Sequence, residues 1–142
     1  MTTIVRVVLC GLVVLPAASQ SATITIWSGV YTVRQSERGQ KAYGQSCSSC
    51  HRDDLSGSDD GAPALRGPVF VERWRDRPLS EMYFVLAESM PQDSPGSLSG
   101  KEYADIIAFM LSKNEVPSGE SELSPEMEKL KRIVFTEKRN PR

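Results

Sequence analysis

Residues 46–52 read SCSSCHR, and the reading of Cys47-Ser48-Ser49-Cys50-His51 decides the fold. The 142-residue chain holds three cysteines and one histidine, and that histidine stands directly behind the second cysteine of a C-x-x-C. With positions shuffled, this arrangement would arise roughly a few times in ten thousand, so the five residues are read as a motif. Three chemistries use such residues: a structural zinc site, a dithiol redox site and a haem attachment site.

Structural zinc takes four ligands, mostly Cys and His. Cys47, Cys50 and His51 supply three, two of them adjacent, so an aspartate would have to complete a strained set. A dithiol of the thioredoxin kind, which would make the chain a disulfide oxidoreductase, opens a helix after a strand inside a βαβ pattern. Here the cysteines close a predicted helix and no parallel-strand pattern surrounds them. Haem attachment employs every member. Two thiols three positions apart reach the two vinyl groups of one porphyrin as thioethers, and the next residue brings an imidazole under the iron. A covalent haem also gives a short chain a large apolar plate to pack around. An electron carrier then needs a second axial ligand, and with no second histidine the candidates are methionine and lysine. Met1 lies in a leader, Met82 and Met110 suit buried helix faces, and Met127 belongs to a tail helix. Met90, just past a helix and before Pro91, is placed to turn its thioether toward the opposite haem face.

Outward from the motif, a helix is expected from an N-cap at Ser36 through ERGQKAYGQS to the cysteines. Gly39 and Gly44 weaken it by about 1 kcal/mol each relative to Ala, so close packing against another helix should hold it. After His51 the run RDDLSGSDDGAPALRGPVF, rich in Asp, Ser, Gly and Pro, reads as loop. Its Asp53, Asp54, Asp59 and Asp60 lack the alternation of a calcium-binding loop. A second helix is expected after Ser80 over EMYFVLAES, ended by Pro91 and Pro95. The third carries the clearest local signal. Ser99 and Glu102 form a capping box, Leu98 and Tyr103 a hydrophobic staple, and Tyr103, Ile106, Ile107 and Met110 a buried stripe ended by Asn114 and Pro117.

The N-terminus has one basic residue, Arg6, an apolar run from Val7 to Leu15, and small residues offering cleavage after Ser19 or Ala22. Residues 1–22 therefore read as a signal peptide, the apolar run being far shorter than the ~20 residues of a membrane span. Cys10 leaves with it, and Leu9 before that cysteine argues against a lipid anchor. The mature chain is expected in an exported, periplasmic or similar oxidising compartment, with no stable membrane span. Residues 23–33, TITIWSGVYTV, form an extended arm, residues 34–116 the domain, and residues 117–142 a charged tail. In that tail Ser124 and Pro125 should open a short helix with Met127, Leu130 and Val134 on one face. Lys129, Lys131, Arg132, Lys138, Arg139 and Arg142 read as a solvated basic flank. A formal net charge of -1 excludes the basic footprint of a nucleic-acid binder.

Residues 34–116 resemble the class I cytochrome c family. CSSCH matches its haem signature; GAPALRG at 61–67 resembles the segment whose proline carbonyl accepts the proximal histidine N–H; SMPQDSPGSLSGKEYADIIAFML resembles its methionine loop and last helix. The resemblance implies an all-α fold of three main helices around one haem c. It implies Cys47 and Cys50 as thioether anchors, His51 and Met90 as axial ligands, Pro63 as acceptor for His51, and Leu65 against the haem. Gly39 and Tyr43 should meet Ile106 and Phe109 where the first and last helices cross. Phe70, Arg73 and Trp74 are similar to the small cytochromes that accompany quinoprotein dehydrogenases, with Arg66, Arg73, Trp74 and Arg75 as candidates to contact the propionates. The function implied is a one-electron carrier between a dehydrogenase donor and an oxidase or other acceptor. A haem c subunit of a larger oxidoreductase, or a five-coordinate haem sensor or enzyme, is the alternative. The acidic loop should guide a basic partner face.

Overall fold

The computed structural model describes residues 24–138; the expected signal peptide, Cys10, Arg139 and Arg142 lie outside them. In chain order come β1 (Ile24–Thr25), a 3-10 turn (Ile26–Ser28), α1 (Val33–Ser46), α2 (Ser48–His51), α3 (Gly67–Trp74), α4 (Leu79–Ser89), α5 (Gly100–Lys113), α6 (Met127–Leu130) and β2 (Ile133–Val134). The chain is all-α in class, and the three expected helices are α1, α4 and α5.

Helix α1 starts earlier than Ser36. Thr32 is the cap, its hydroxyl accepting the Gln35 N–H at 3.1 Å, while the Ser36 hydroxyl bonds the Val33 carbonyl from within the helix. Its packing partner is α5. A Cβ built on Gly39 would stand 1.8 Å from the Asp105 carbonyl oxygen, so only glycine admits this approach of the two backbones. One turn on, the Tyr43 and Phe109 rings meet at 5.2 Å. Ile106, Ile107, Met110 and Leu111 complete the buried stripe. The capping box of α5 is present in both directions, from the Ser99 hydroxyl to the Glu102 N–H and from the Glu102 carboxylate to the Ser99 N–H. Beside the crossing, Arg38 holds the buried Asp105 with two bonds of 2.8 and 2.9 Å, and Lys101 adds a third at 3.0 Å.

Three expectations are corrected. Residues 67–70, read as the end of the loop, open α3: Pro68 sits in its first turn, where a missing N–H costs nothing. Helix α4 begins at Leu79, one residue before Ser80. The basic side chains of the tail, Lys129, Lys131, Arg132 and Lys138, are exposed as expected, but the segment is more than a flank, because Leu123, Leu130, Ile133 and Phe135 are buried. Its helix begins at Met127, and the Ser124 hydroxyl accepts the Glu126 N–H instead of capping it. Gln35 exchanges two hydrogen bonds with the Leu123 backbone, and Phe135 packs edge-on against Phe70 at 5.7 Å. The N-terminal arm lies on this tail: Ile24 and Thr25 pair in parallel with Ile133 and Val134, and the Trp27 indole donates to the Thr136 carbonyl at 2.8 Å.

Candidate haem site

The end of α1 builds the motif. Cys47 caps α1, its N–H donating to the Tyr43 carbonyl at 2.8 Å. The chain then turns about the Cys47 carbonyl, which accepts the N–H groups of both Cys50 and His51 at 3.2 and 3.0 Å. Cys47 is the N-cap of this single turn, α2, and Cys50 its third residue. Cys50 is exposed and Cys47 half-buried, and neither is in a disulfide. Burial, with the Cys50 charge second, pushes the Cys47 thiol up to about 11.

His51 is 7% exposed, and its Nδ1 lies 2.8 Å from the Pro63 carbonyl oxygen. A carbonyl can only accept, so Nδ1 carries a proton, and in the neutral ring Nε2 keeps the lone pair that a metal requires. The loop from 52 to 65 brings Pro63 there. Its base is tied by the Leu65 N–H to the Leu55 carbonyl at 2.9 Å and by the Gly57 N–H to the His51 carbonyl at 3.1 Å. Gly57, at φ +78°, lies so close to the returning chain that a Cβ would meet the Ala62 oxygen at 2.5 Å. The Tyr43 hydroxyl closes the far side on the Arg52 carbonyl at 2.7 Å.

Met90 ends α4. Its N–H donates to the Leu86 carbonyl at 3.0 Å, and its own carbonyl accepts the Tyr103 hydroxyl at 2.8 Å. The side chain is half-buried. Leu65 is also half-buried against the core. Asn114 accounts for its position: the amide donates to the Leu65 carbonyl at 3.1 Å and accepts the Gly67 N–H at 2.9 Å. Sequence reading assigned Asn114 only to helix termination and gave Tyr103 only a core role; bonds to backbone groups that lie 49 and 13 positions away leave no local signature.

The four candidates for propionate contact flank α3: Arg66 precedes it, and Arg73, Trp74 and Arg75 stand at its end. Trp74 is buried in the core with Arg73 over its ring at 5.5 Å. Arg75 bridges Glu72 and Glu137, each at 2.5 Å, and Arg66 faces Asp54 at 3.3 Å. Among the described residues no three His, Cys, Asp or Glu side chains converge as a metal cluster.

The residues fit a covalently attached haem: two thiols three positions apart at a single helical turn, outside any disulfide, and an imidazole directly behind them whose Nδ1 is engaged by a carbonyl. No curated protein matches the chain. One chain of the sulfane dehydrogenase SoxCD from Paracoccus pantotrophus is similar in structure, with a TM-score of 0.53 and 25% identity, over 88% of this chain and 66% of that one. The family model described as cytochrome C oxidase, cbb3-type, subunit III matches residues 34–110, more than half of the sequence. The chain belongs to that family of c-type cytochromes, carries a covalent haem c, and serves electron transfer.

Proposed function

We propose that this protein is an exported one-electron carrier whose haem is anchored by Cys47 and Cys50 and ligated by His51 and Met90. It passes electrons from a dehydrogenase to an oxidase or another acceptor. The observation that carries the reading is the 2.8 Å bond from His51 Nδ1 to the Pro63 carbonyl, in a buried imidazole directly after the C-x-x-C. Haem c, when bound, supplies a one-electron couple.

The chain's own residues set the conditions for that couple. Pro63 fixes the tautomer and the plane of the His51 ring and raises its basicity as a ligand. Met90 supplies a neutral thioether, which favours the reduced iron and a comparatively high potential. With His51 and Met90 both holding the iron, the metal would be closed to substrate, and the exposed Cys50 would anchor the group on its solvent side. Asp53, Asp54, Asp59 and Asp60 are all exposed beside the motif, with Arg52 and Arg66 offsetting Asp59 and Asp54. Their excess negative charge steers a basic partner, so association slows as salt is added. No helix among the described residues is long and apolar enough to cross a membrane.

The test is optical. Exported protein from a host that matures c-type cytochromes should give a pyridine haemochrome typical of two thioether links, and a weak far-red sulfur-to-iron band when ferric. Met90→Ala should abolish that band and leave the thioether links intact. Colourless protein at the mass of the bare processed chain would end the proposal. Carbon monoxide binding to the reduced protein without displacing a ligand would favour the five-coordinate sensor or enzyme instead.

A second reading, supported by the likeness to a chain of a dehydrogenase, is that this protein is the electron-accepting subunit of a larger oxidoreductase. Copurification of a stoichiometric partner with the tagged chain would distinguish it from the free carrier.

A further inference from the structure

We propose, resting on the assignment of Met90 as an axial ligand, that Tyr103 is a positioning residue: its hydroxyl clamps the Met90 peptide and sets how readily the thioether leaves the iron. Met90 is the last residue that α4 controls. Its N–H is tied back to Leu86 at 3.0 Å and its carbonyl to Tyr103 at 2.8 Å, so both polar groups of that residue are fixed. The following loop is held differently. Its backbone bonds, from the Ser94 N–H to Pro91 at 2.9 Å and from the Ser97 N–H to Ser94 at 3.3 Å, join it only to itself.

Tyr103 is suited to act as a fixed post. It is 3% exposed, sits in the second turn of α5 just after the Ser99–Glu102 box, and packs edge-on against Tyr83 at 6.1 Å. Helix α5 in turn is locked to α1, the helix that leads into Cys47, through the Gly39 contact. One rigid element therefore spans from the thioether end of the site to the methionine end. Removing the Tyr103 hydroxyl frees the Met90 carbonyl and raises the population with the thioether off the iron. A net hydrogen bond is worth about a factor of five in that equilibrium, and an added ligand that needs the vacated position gains affinity by the same factor.

The experiment titrates imidazole into the ferric haem-loaded protein and follows the far-red band. In Tyr103→Phe the apparent Kd for imidazole should fall about fivefold. Tyr31→Phe is the control, because it removes the same kind of bond, from a buried tyrosine to the Val116 carbonyl, elsewhere in the core. It should lower thermal stability without changing the imidazole Kd. An unchanged Kd in Tyr103→Phe, or an equal fall in both variants, overturns the assignment. Should Tyr103→Phe fail to hold haem, 3,5-difluorotyrosine at position 103, kept protonated at mildly acidic pH, is a stronger donor and should raise the Kd; a fall there refutes the clamp. Wild-type protein with no far-red band at all refutes the Met90 ligation and the clamp together, whereas a normal band with an unaffected Tyr103→Phe refutes the clamp alone.

Discussion

Replacing Gly39 by alanine should destabilise this protein, although alanine is the better helix former. The intrinsic gain is about 0.5–1 kcal/mol. Against it stands a Cβ only 1.8 Å from the Asp105 carbonyl oxygen and 2.4 Å from its carbon. Both atoms are backbone, so no side chain can rotate away, and α1 and α5 must part by roughly an ångström or more. That separation strains the Tyr43–Phe109 contact and the Arg38–Asp105 pair, both of which straddle the crossing. Overpacking of this kind costs about 3 kcal/mol, leaving a net loss of about 2 kcal/mol and a melting temperature lower by about 8 °C. Gly44 is the internal comparison. It lies in the same helix and a Cβ there meets nothing within 4 Å, so Gly44→Ala should raise the melting temperature by about 2–4 °C. Thermal unfolding of fully haem-loaded variants, followed by far-UV circular dichroism, measures both. If Gly39→Ala matched or exceeded the wild type, the close approach of the two helices would be wrong.

Ser99→Ala removes the hydroxyl half of the α5 capping box and should cost about 1 kcal/mol in denaturant unfolding. Asp105 should shape the acid limb of stability. Burial pushes its carboxyl up, but the hydrogen bonds from Arg38 and Lys101 prevail and hold it below the usual range. A lowered pKa means stabilisation that is complete above the unfolded value of about 3.9 and is lost as pH falls through the folded value. Asp105→Asn should therefore lower stability at neutral pH by about 2 kcal/mol, less than for a fully buried pair because water reaches Arg38, and flatten the pH dependence below about pH 4. Equal slopes in both proteins would exclude Asp105 as the titrating group. Phe135→Ala should cost about 3–5 kcal/mol if the tail belongs to the core; a change under 1 kcal/mol would mark it as the dispensable flank that its charges suggest.

What could be read from the sequence was local. C-x-x-C-H, the S-x-x-E box and the stripe of Tyr103, Ile106, Ile107 and Met110 each lie within a dozen residues and need no knowledge of the rest of the fold. Gly39 could be anticipated from the resemblance, which implies a glycine where the first and last helices cross; its cost alone does not identify it, since Gly44 is equally costly in α1 and meets nothing within 4 Å. Helix α3 escaped because Gly67-Pro68 reads as loop punctuation, yet proline in a first turn is equally a start signal. The tail escaped for a different reason. Leu123, Leu130, Ile133 and Phe135 are spread among lysines, arginines and glutamates, and what covers them comes from Gln35, Trp27, Ile24 and Phe70, far away along the chain. The same distance hid Asn114 and the Tyr103 hydroxyl, whose partners are backbone carbonyls that carry no residue signature.

The parallel pairing of Ile24 and Thr25 with Ile133 and Val134 also fixes how the molecule bears tension. Pulled from the amino end of the first strand and the carboxyl end of the second, parallel neighbours slide past one another, and their hydrogen bonds are loaded together instead of unzipping in turn. A load drawn through both ends thus meets the Ile24–Ile133 seam and the Trp27–Thr136 latch before it reaches α1, and the crossing of α1 and α5 is sheltered behind them.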